Sequence, residues 1–281
     1  MTVTHDEHAL TRRAVPGPSL YLVSATPEGA PKATVGILHG YAEHGGRYRH
    51  VMDAWAEASI ASVAVDMRGH GRATGPRGHC DLFDEFLEDA AELARVVSER
   101  AQGGACFLFG HSFGGLVAAA SAIDAPGPWR GLVLSAPFFG LALEVPKLKV
   151  AAGRVASLLA PKLGLASGLK GADVTRDPER AAAYDADPLI FKHATARWFR
   201  ETQLAQERTL ARASELRLPL YTTFGSADRV AKLAAARTFF DRAASTDKTW
   251  EERKGGFHEV LNDPEWRELA DRIAEWILAR A

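Results

Sequence analysis

Short apolar runs alternate along the chain with longer stretches whose apolar positions recur every three or four residues, the pattern of βαβ units around a mostly parallel sheet. Residues 34–38, 61–65, 106–109, 131–134, 220–224 and 249–252 read as strands, with 20–23 preceding them at an edge. Tyr48, Val51, Met52, Trp55 and Ala58 are spaced as one face of a helix, and so are Phe83, Phe86, Leu87, Ala90, Leu93, Ala94 and Val97. Such faces lie on a sheet. The last helix is expected to open with Asp263 as N-cap and Pro264 at its first position, and to bury Leu269, Ile273, Trp276 and Ile277.

The rhythm breaks once. Between the strand ending near Leu134 and the one starting near Leu220 lie about 80 residues, where a short loop, a helix and another short loop would normally suffice. The excess reads as an inserted subdomain. It divides the chain into a core of residues 1–136 and 216–281 and a helical cap of residues 137–215.

Gly110-His111-Ser112-Phe113-Gly114-Gly115 stands between an apolar strand and an alanine-rich helix, the setting of a nucleophile elbow. A serine at the tip of such a sharp turn needs small neighbours two residues either side, and Gly110 and Gly114 supply them. A bare Gly-x-Ser-x-Gly arises by chance in about one chain in ten of this length, so the strand and helix around it carry the weight. Residues 105–123 contain no Asp, Glu, Lys or Arg and could be mistaken for a membrane span, but a buried strand, a turn and a sheet-packed helix account for the same residues.

With 281 residues, 47% hydrophobic and 25% charged, the composition is that of a soluble globular protein able to bury a large core. A net charge of -1 gives no field to hold nucleic acid. The only cysteines, Cys80 and Cys106, do not suggest a disulfide framework, and Cys106 reads as a small core residue. No apolar run of signal-peptide length lies in the first 20 residues, so a cytoplasmic location is expected. Gly69, Gly71, Gly75 and Gly78 lack the Lys-Ser or Lys-Thr ending of a phosphate cradle, and the His and acidic residues show no metal-ligand spacing.

A serine hydroxyl needs a base within hydrogen-bond reach, and the base needs an orienting acid. On an α/β-hydrolase sheet these follow in the order Ser, Asp or Glu, His. Asp228 follows the strand at 220–224 and His258 follows the next, so both can meet Ser112 at the carboxyl edge of the sheet. Asp241 and Asp247 are weaker candidates, one mid-helix and one before a strand, and His111 is too close in sequence to Ser112 to act as its base. The oxyanion of an acyl-transfer intermediate needs two backbone donors. Phe113 offers one, and Gly40 lets the chain turn so that the Tyr41 amide offers the other.

These motifs, with Glu43-His44, Gly46-Arg47-Tyr48, the run from Asp66 to Gly71, Asp185-Ala186-Asp187-Pro188 and His258-Glu259, resemble the monoacylglycerol lipases and their lysophospholipase-like relatives from about Ala33 onward. The resemblance implies a serine ester hydrolase with an α/β-hydrolase fold, a helical cap over the site, a lipid-like ester substrate and no metal or organic cofactor. It matches Ser112, Asp228 and His258 to the triad and Tyr41 and Phe113 to the oxyanion donors. Glu43, Arg47 and Tyr184 fall where the family lines the glycerol pocket, although the first two could equally form a local ion pair and the third a packing aromatic. Phe113 replaces the usual methionine of the elbow, and Leu261 stands where some relatives carry a second histidine.

The expected reaction is hydrolysis of monoacylglycerols through an acyl-enzyme, with activity rising at about pH 6 to 7 as His258 deprotonates. The rivals are a lysophospholipase, a broad carboxylesterase, or a fold relative that binds lipid without turnover. Residues 145–172 hold the basic Lys147, Lys149, Arg154, Lys162 and Lys170 and no acidic residue, while Leu148, Ala151, Ala152, Val155, Leu158 and Leu159 share a helical face. That patch suits either peripheral contact with an anionic membrane or micelle surface or packing on the cap's own domain.

Overall fold

The computed structural model describes residues 2–13, 17–142, 147–166 and 168–281, without the side chains of residues 147–152 and 165. In chain order its elements are β1 (Val3–Leu10), β2 (Leu20–Pro27), β3 (Ala33–Leu38), α1 (Arg49–Glu57), β4 (Ile60–Asp66), α2 (Asp84–Ala101), β5 (Ala105–His111), α3 (Ser112–Asp124) and β6 (Trp129–Ser135). Then come α4 (Lys147–Leu159), β7 (Gly164–Ala166), α5 (Gly171–Val174), α6 (Pro178–Ala186), β8 (His193–Thr195) and α7 (Ala196–Ala211). The chain returns to the sheet with β9 (Leu220–Gly225), α8 (Leu233–Arg242), β10 (Lys248–Arg253) and α9 (Trp266–Leu278).

Eight strands align in the order β1-β2-β4-β3-β5-β6-β9-β10, with β2 antiparallel to both its neighbours and the later pairs parallel. Alternate strand residues feed two cores. Leu108, Leu132, Leu134 and Phe224 pack against α2, α3 and α8, while Phe107, Phe109, Val133 and Tyr221 pack against α1 and α9. Burying each large side chain of this kind contributes about 1.5–3 kcal/mol. This is the mostly parallel α/β-hydrolase sheet expected, with helices on both faces and helical segments inserted after β6.

The span at 105–123 is β5 running into α3, and no helix of the described residues is long and apolar enough to cross a membrane. Two local expectations need correction. The strand at 20–23 is expected at the sheet edge, but β2 lies between β1 and β4; the edge is β1, not legible because Val3–Leu10 is exposed along most of its length and has no apolar alternation. It is an edge strand whose charged side chains discourage further pairing. The last helix starts at Trp266 rather than Pro264, with Glu265 and not Asp263 at the N-cap position. The Asp263 carboxylate is occupied elsewhere, accepting the backbone N–H groups of Arg176 at 2.8 Å and Phe257 at 2.9 Å.

Those bonds are part of a seam between the inserted segment and the sheet. On one side Glu259 N–H donates to Val174 O at 2.8 Å and Thr175 Oγ1 to Asn262 O at 2.7 Å. On the other, Tyr41 Oη donates toward Gly78 O and His193 O at 3.0 and 3.1 Å, and His44 Nε2 meets Asp187 Oδ2 at 2.9 Å. The seam reaches the loop of Tyr41 and the loop of His258.

Candidate active site

Ser112 is the first residue of α3 and holds φ +51°, a left-handed conformation that a side chain adopts only under constraint. Close backbone approach supplies the constraint. A Cβ on Gly110 would sit 2.5 Å from Gly114 O, and one on Gly114 would sit 2.2 Å from Leu38 O and 2.3 Å from His39 O. Both glycines are therefore required by contact, as the elbow pattern implied.

Asp228 lies in the turn after β9, where its Oδ1 accepts Val230 N–H at 2.7 Å and Ala231 N–H at 3.0 Å. Its Oδ2 is left for His258 Nδ1, at 2.7 Å. Turn formation and imidazole orientation thus use different oxygens of one carboxylate. His258 Nε2 reaches Ser112 Oγ at 2.8 Å, closing the three-residue chain. The rival carboxylates are engaged elsewhere, Asp241 with Arg237 and Asp247 with Arg280.

Burial alone would raise the Asp228 pKa, but the His258 charge and hydrogen bond, with the two backbone amides, hold it below its usual value. Burial alone would lower that of His258; Asp228, helped by Glu259 and Glu43, outweighs it and raises it above 6.5. An ionised Asp228 therefore keeps the proton on Nδ1 and leaves Nε2 free to accept from the serine. The neighbouring His111, its ring centroid 4.9 Å from that of His258, is pushed down to about 4 by burial and by the His258 charge. It stays neutral and donates from Nδ1 to Ser135 O at 3.1 Å.

Phe113 N–H lies in the first turn of α3, beside Ser112. The Gly40–Tyr41 loop passes close to the serine, since a Cβ on Gly40 would lie 3.4 Å from Ser112 Cβ. The Tyr41 ring stacks on Trp198 of α7 at 3.6 Å, and both rings border that of Phe113. Phe113 also meets Phe86 edge-on at 4.9 Å, so its phenyl group has a fitted aromatic surround.

Glu43, Arg47 and Tyr184 are gathered together, with the Arg47 guanidinium 4.9 Å from the Tyr184 ring centroid. Arg47 pairs with Glu43 and forks onto Glu259, both contacts with the latter at 2.7 Å. Against the burial that would raise it, Arg47 and the Tyr48 hydroxyl hold the Glu43 pKa down, at about 2. Glu259, noticed in the sequence only as the neighbour of His258, is the partner that sequence reasoning missed. The glycine loop after β4 is a structural turn, with Asp66 accepting the N–H groups of Gly45 and Arg72, both at 2.7 Å. Among the described residues no group of three His, Cys, Asp or Glu side chains is placed to hold a metal ion.

Residues 29–265 match the Hydrolase_4 family, described as serine aminopeptidase, S33. The chain is 33% identical over 277 residues to the monoacylglycerol lipase of Mycolicibacterium smegmatis, covering 98% of each. It is 31% identical to the phospholipase YtpA of Bacillus subtilis over 84% of this chain and 91% of that one. Among solved structures it is similar to the monoacylglycerol lipase of Paleococcus ferrophilus, at 30% identity and a TM-score of 0.83, covering 93% of this chain and 99% of that one.

Proposed function

We infer that this chain, which belongs to the Hydrolase_4 family, is a serine ester hydrolase for lipid-like substrates that cleaves monoacylglycerols to fatty acid and glycerol. The observation that carries the reading is the hydrogen-bonded line from Asp228 through His258 to Ser112, at 2.7 and 2.8 Å. In the assigned mechanism His258 Nε2 takes the hydroxyl proton as Ser112 Oγ bonds to the ester carbonyl carbon. The Tyr41 and Phe113 amides hold the resulting oxyanion, and Asp228 stabilises the imidazolium. Collapse breaks the bond to the alcohol oxygen, which leaves with the proton from Nε2. Water then attacks the acyl-enzyme with His258 again as base, and the fatty acid departs with Ser112 reprotonated.

The charge balance near His258 supports a neutral head group. Glu43 and Glu259 share one guanidinium, which leaves the buried set with an excess negative charge. Close to that trio a phosphate would be repelled where a neutral glycerol would not. The similarity to a Bacillus phospholipase supports a lysophospholipase as the second reading. Initial rates on 1-monooleoylglycerol, oleoyl lysophosphatidylcholine and p-nitrophenyl butyrate rank them. The expected order puts kcat/KM for the glyceride first; a faster lysophospholipid would transfer the assignment to the second reading.

The cap belongs to the same proposal. Val155, Leu158, Leu159 and Leu163 are 55%, 73%, 81% and 50% exposed, and Arg154, Lys162 and Lys170 of the same segment are exposed too. The side chains of Leu148, Ala151, Ala152, Lys147 and Lys149 lie outside the described residues. Uncovered leucines beside cations suit peripheral docking on an anionic leaflet or micelle, which for a cytoplasmic enzyme is the inner face of its membrane. Co-sedimentation with anionic vesicles is expected to weaken at high salt and to be lost in the Leu158→Glu, Leu159→Glu double variant. Wild-type protein that stays in the supernatant at low salt would sink the docking.

A further inference from the structure

Arg47 stands between the loop that carries Tyr41 and the loop that carries His258. Toward the oxyanion loop it donates from Nη1 to Glu43, whose Oε1 accepts Gly40 N–H at 2.5 Å and the Tyr48 hydroxyl at 2.7 Å. Toward the His258 loop it donates from Nη1 and Nη2 to the two oxygens of Glu259, each at 2.7 Å. Glu259 is itself fixed, its N–H on Val174 O at 2.8 Å and its Oε2 accepting Asn262 Nδ2–H at 2.9 Å. A continuous path thus joins the amide before Tyr41 to the residue after His258. Its three charged side chains are at most 10% exposed.

The sheet cannot make this link. The oxyanion loop leaves β3 and the His258 loop leaves β10, and β5, β6 and β9 lie between them. No ladder hydrogen bond sets one loop against the other, so their relative placement depends on contacts above the sheet edge. A planar guanidinium gripping two carboxylates is directional in a way that a flexible ammonium is not.

We propose that Arg47 and Glu259 are positioning residues, a clamp that holds the Tyr41 oxyanion donor and the catalytic base at the spacing one ester carbonyl requires. The clamp rests on the assignment of Ser112, Asp228 and His258 as triad and of Tyr41 and Phe113 as donors. It differs from a head-group role for Arg47, because a clamp acts on every ester and a head-group ligand only on glycerol esters. Burial lowers the His258 proton affinity and Asp228, Glu259 and Glu43 raise it, while the adjacent His111 is neutral. Removing the Glu259 charge therefore also reaches the base.

The test uses Arg47→Lys, Glu259→Gln and the double variant, with melting curves to establish folding, on p-nitrophenyl butyrate and on 1-monooleoylglycerol. Loosened geometry is expected to lower kcat by about 10- to 100-fold, by the same factor on both esters, with KM nearly unchanged. The double variant is expected to lose less than the product of the single losses, since both break one link. In Glu259→Gln the acid limb of kcat/KM is expected at lower pH than in wild type, because a carboxylate that favours protonated His258 is gone. A loss confined to the glyceride and expressed in KM would make Arg47 a head-group ligand and overturn the clamp. An unchanged kcat on both esters in either folded variant would overturn it too. Should Arg47→Lys not fold, Glu259→Gln decides alone, since it keeps an oxygen for Arg47. Wild-type activity on the nitrophenyl ester without activity on the glyceride would remove the proposed substrate and leave the clamp testable.

Discussion

Replacing Ser112 by alanine is expected to lower kcat by about 10⁴-fold or more on every ester the protein cleaves, with little change in Tm. The residual rate is what the oxyanion donors and substrate binding supply without a nucleophile. Stability should hold because the hydroxyl bonds His258, a contact made for chemistry, and because alanine keeps the Cβ that the elbow already accommodates. Asp228→Asn is expected to lose about 10⁴-fold through a different route. The amide oxygen can still accept Val230 and Ala231 N–H, but an NH₂ facing Nδ1 forces the imidazole proton onto Nε2, where it can no longer accept from Ser112. The double variant should be hardly worse than either single one, since both disable the same proton transfer. Active-site titration with p-nitrophenyl butyrate and a thermal melt check this. A Ser112→Ala protein that folds and retains more than about a hundredth of wild-type kcat would remove Ser112 as nucleophile.

The parts of this site legible in the sequence are those written in local backbone constraints. Gly110 and Gly114 flank Ser112 because two backbones nearly touch there, and that demand is visible as a spacing of glycines. Asp228 and His258 could be placed because each follows a strand whose end must lie at the same sheet edge. What could not be read depends on side chains meeting across long chain separations. Arg47 and Glu259 lie 212 residues apart, and neither type nor spacing says that one guanidinium would grip both Glu43 and Glu259. Glu43, Arg47 and Tyr184 lie together, yet residue type alone does not say whether the cation faces a substrate or its neighbours, and only burial and pairing bear on that. Trp198 on Tyr41 is likewise a meeting between the cap and the oxyanion loop, 3.6 Å apart in space and remote in sequence. The start of α9 was misplaced for the same reason: Asp263 has the right type for an N-cap, yet its carboxylate is drawn to Arg176 and Phe257.

Acidification is expected to silence catalysis first and unfold the protein afterwards, because the buried histidines are held in opposite protonation senses. His258, raised above 6.5 by Asp228, must be neutral to act as base, so kcat/KM should climb with pH along a limb centred above 6.5, later than an unperturbed imidazole would give. His39, His70 and His111 are held the other way, chiefly by burial, with His70 lowered to about 3 and His111 to about 4. Geometry explains why a second proton is unwelcome. His39 Nε2 accepts Met67 N–H at 3.0 Å, and His70 Nε2 is buried without a partner, so protonation would oppose two donors in one case and strand a charge in the other. Below pH 6.5 the unfolded chain takes up protons that these folded histidines refuse, so stability present above 6.5 is lost as pH falls toward the folded values. At 1.36 kcal/mol per pH unit, His70 and His111 would together withdraw about 5 kcal/mol by pH 4.5, comparable with the whole stability of many domains. His258 acts in the opposite sense, its contribution being present below 6.5 and lost as pH rises through its folded value, and it offsets part of the decline. Urea unfolding at pH 7.5, 6.5, 5.5 and 4.5, read beside kcat/KM at the same points, should show activity falling while the midpoint is still near its maximum. The midpoint should then drop steeply, and less so in His111→Asn; a midpoint flat from pH 6.5 to 4.5 would mean that these imidazoles accept protons without opposing the fold.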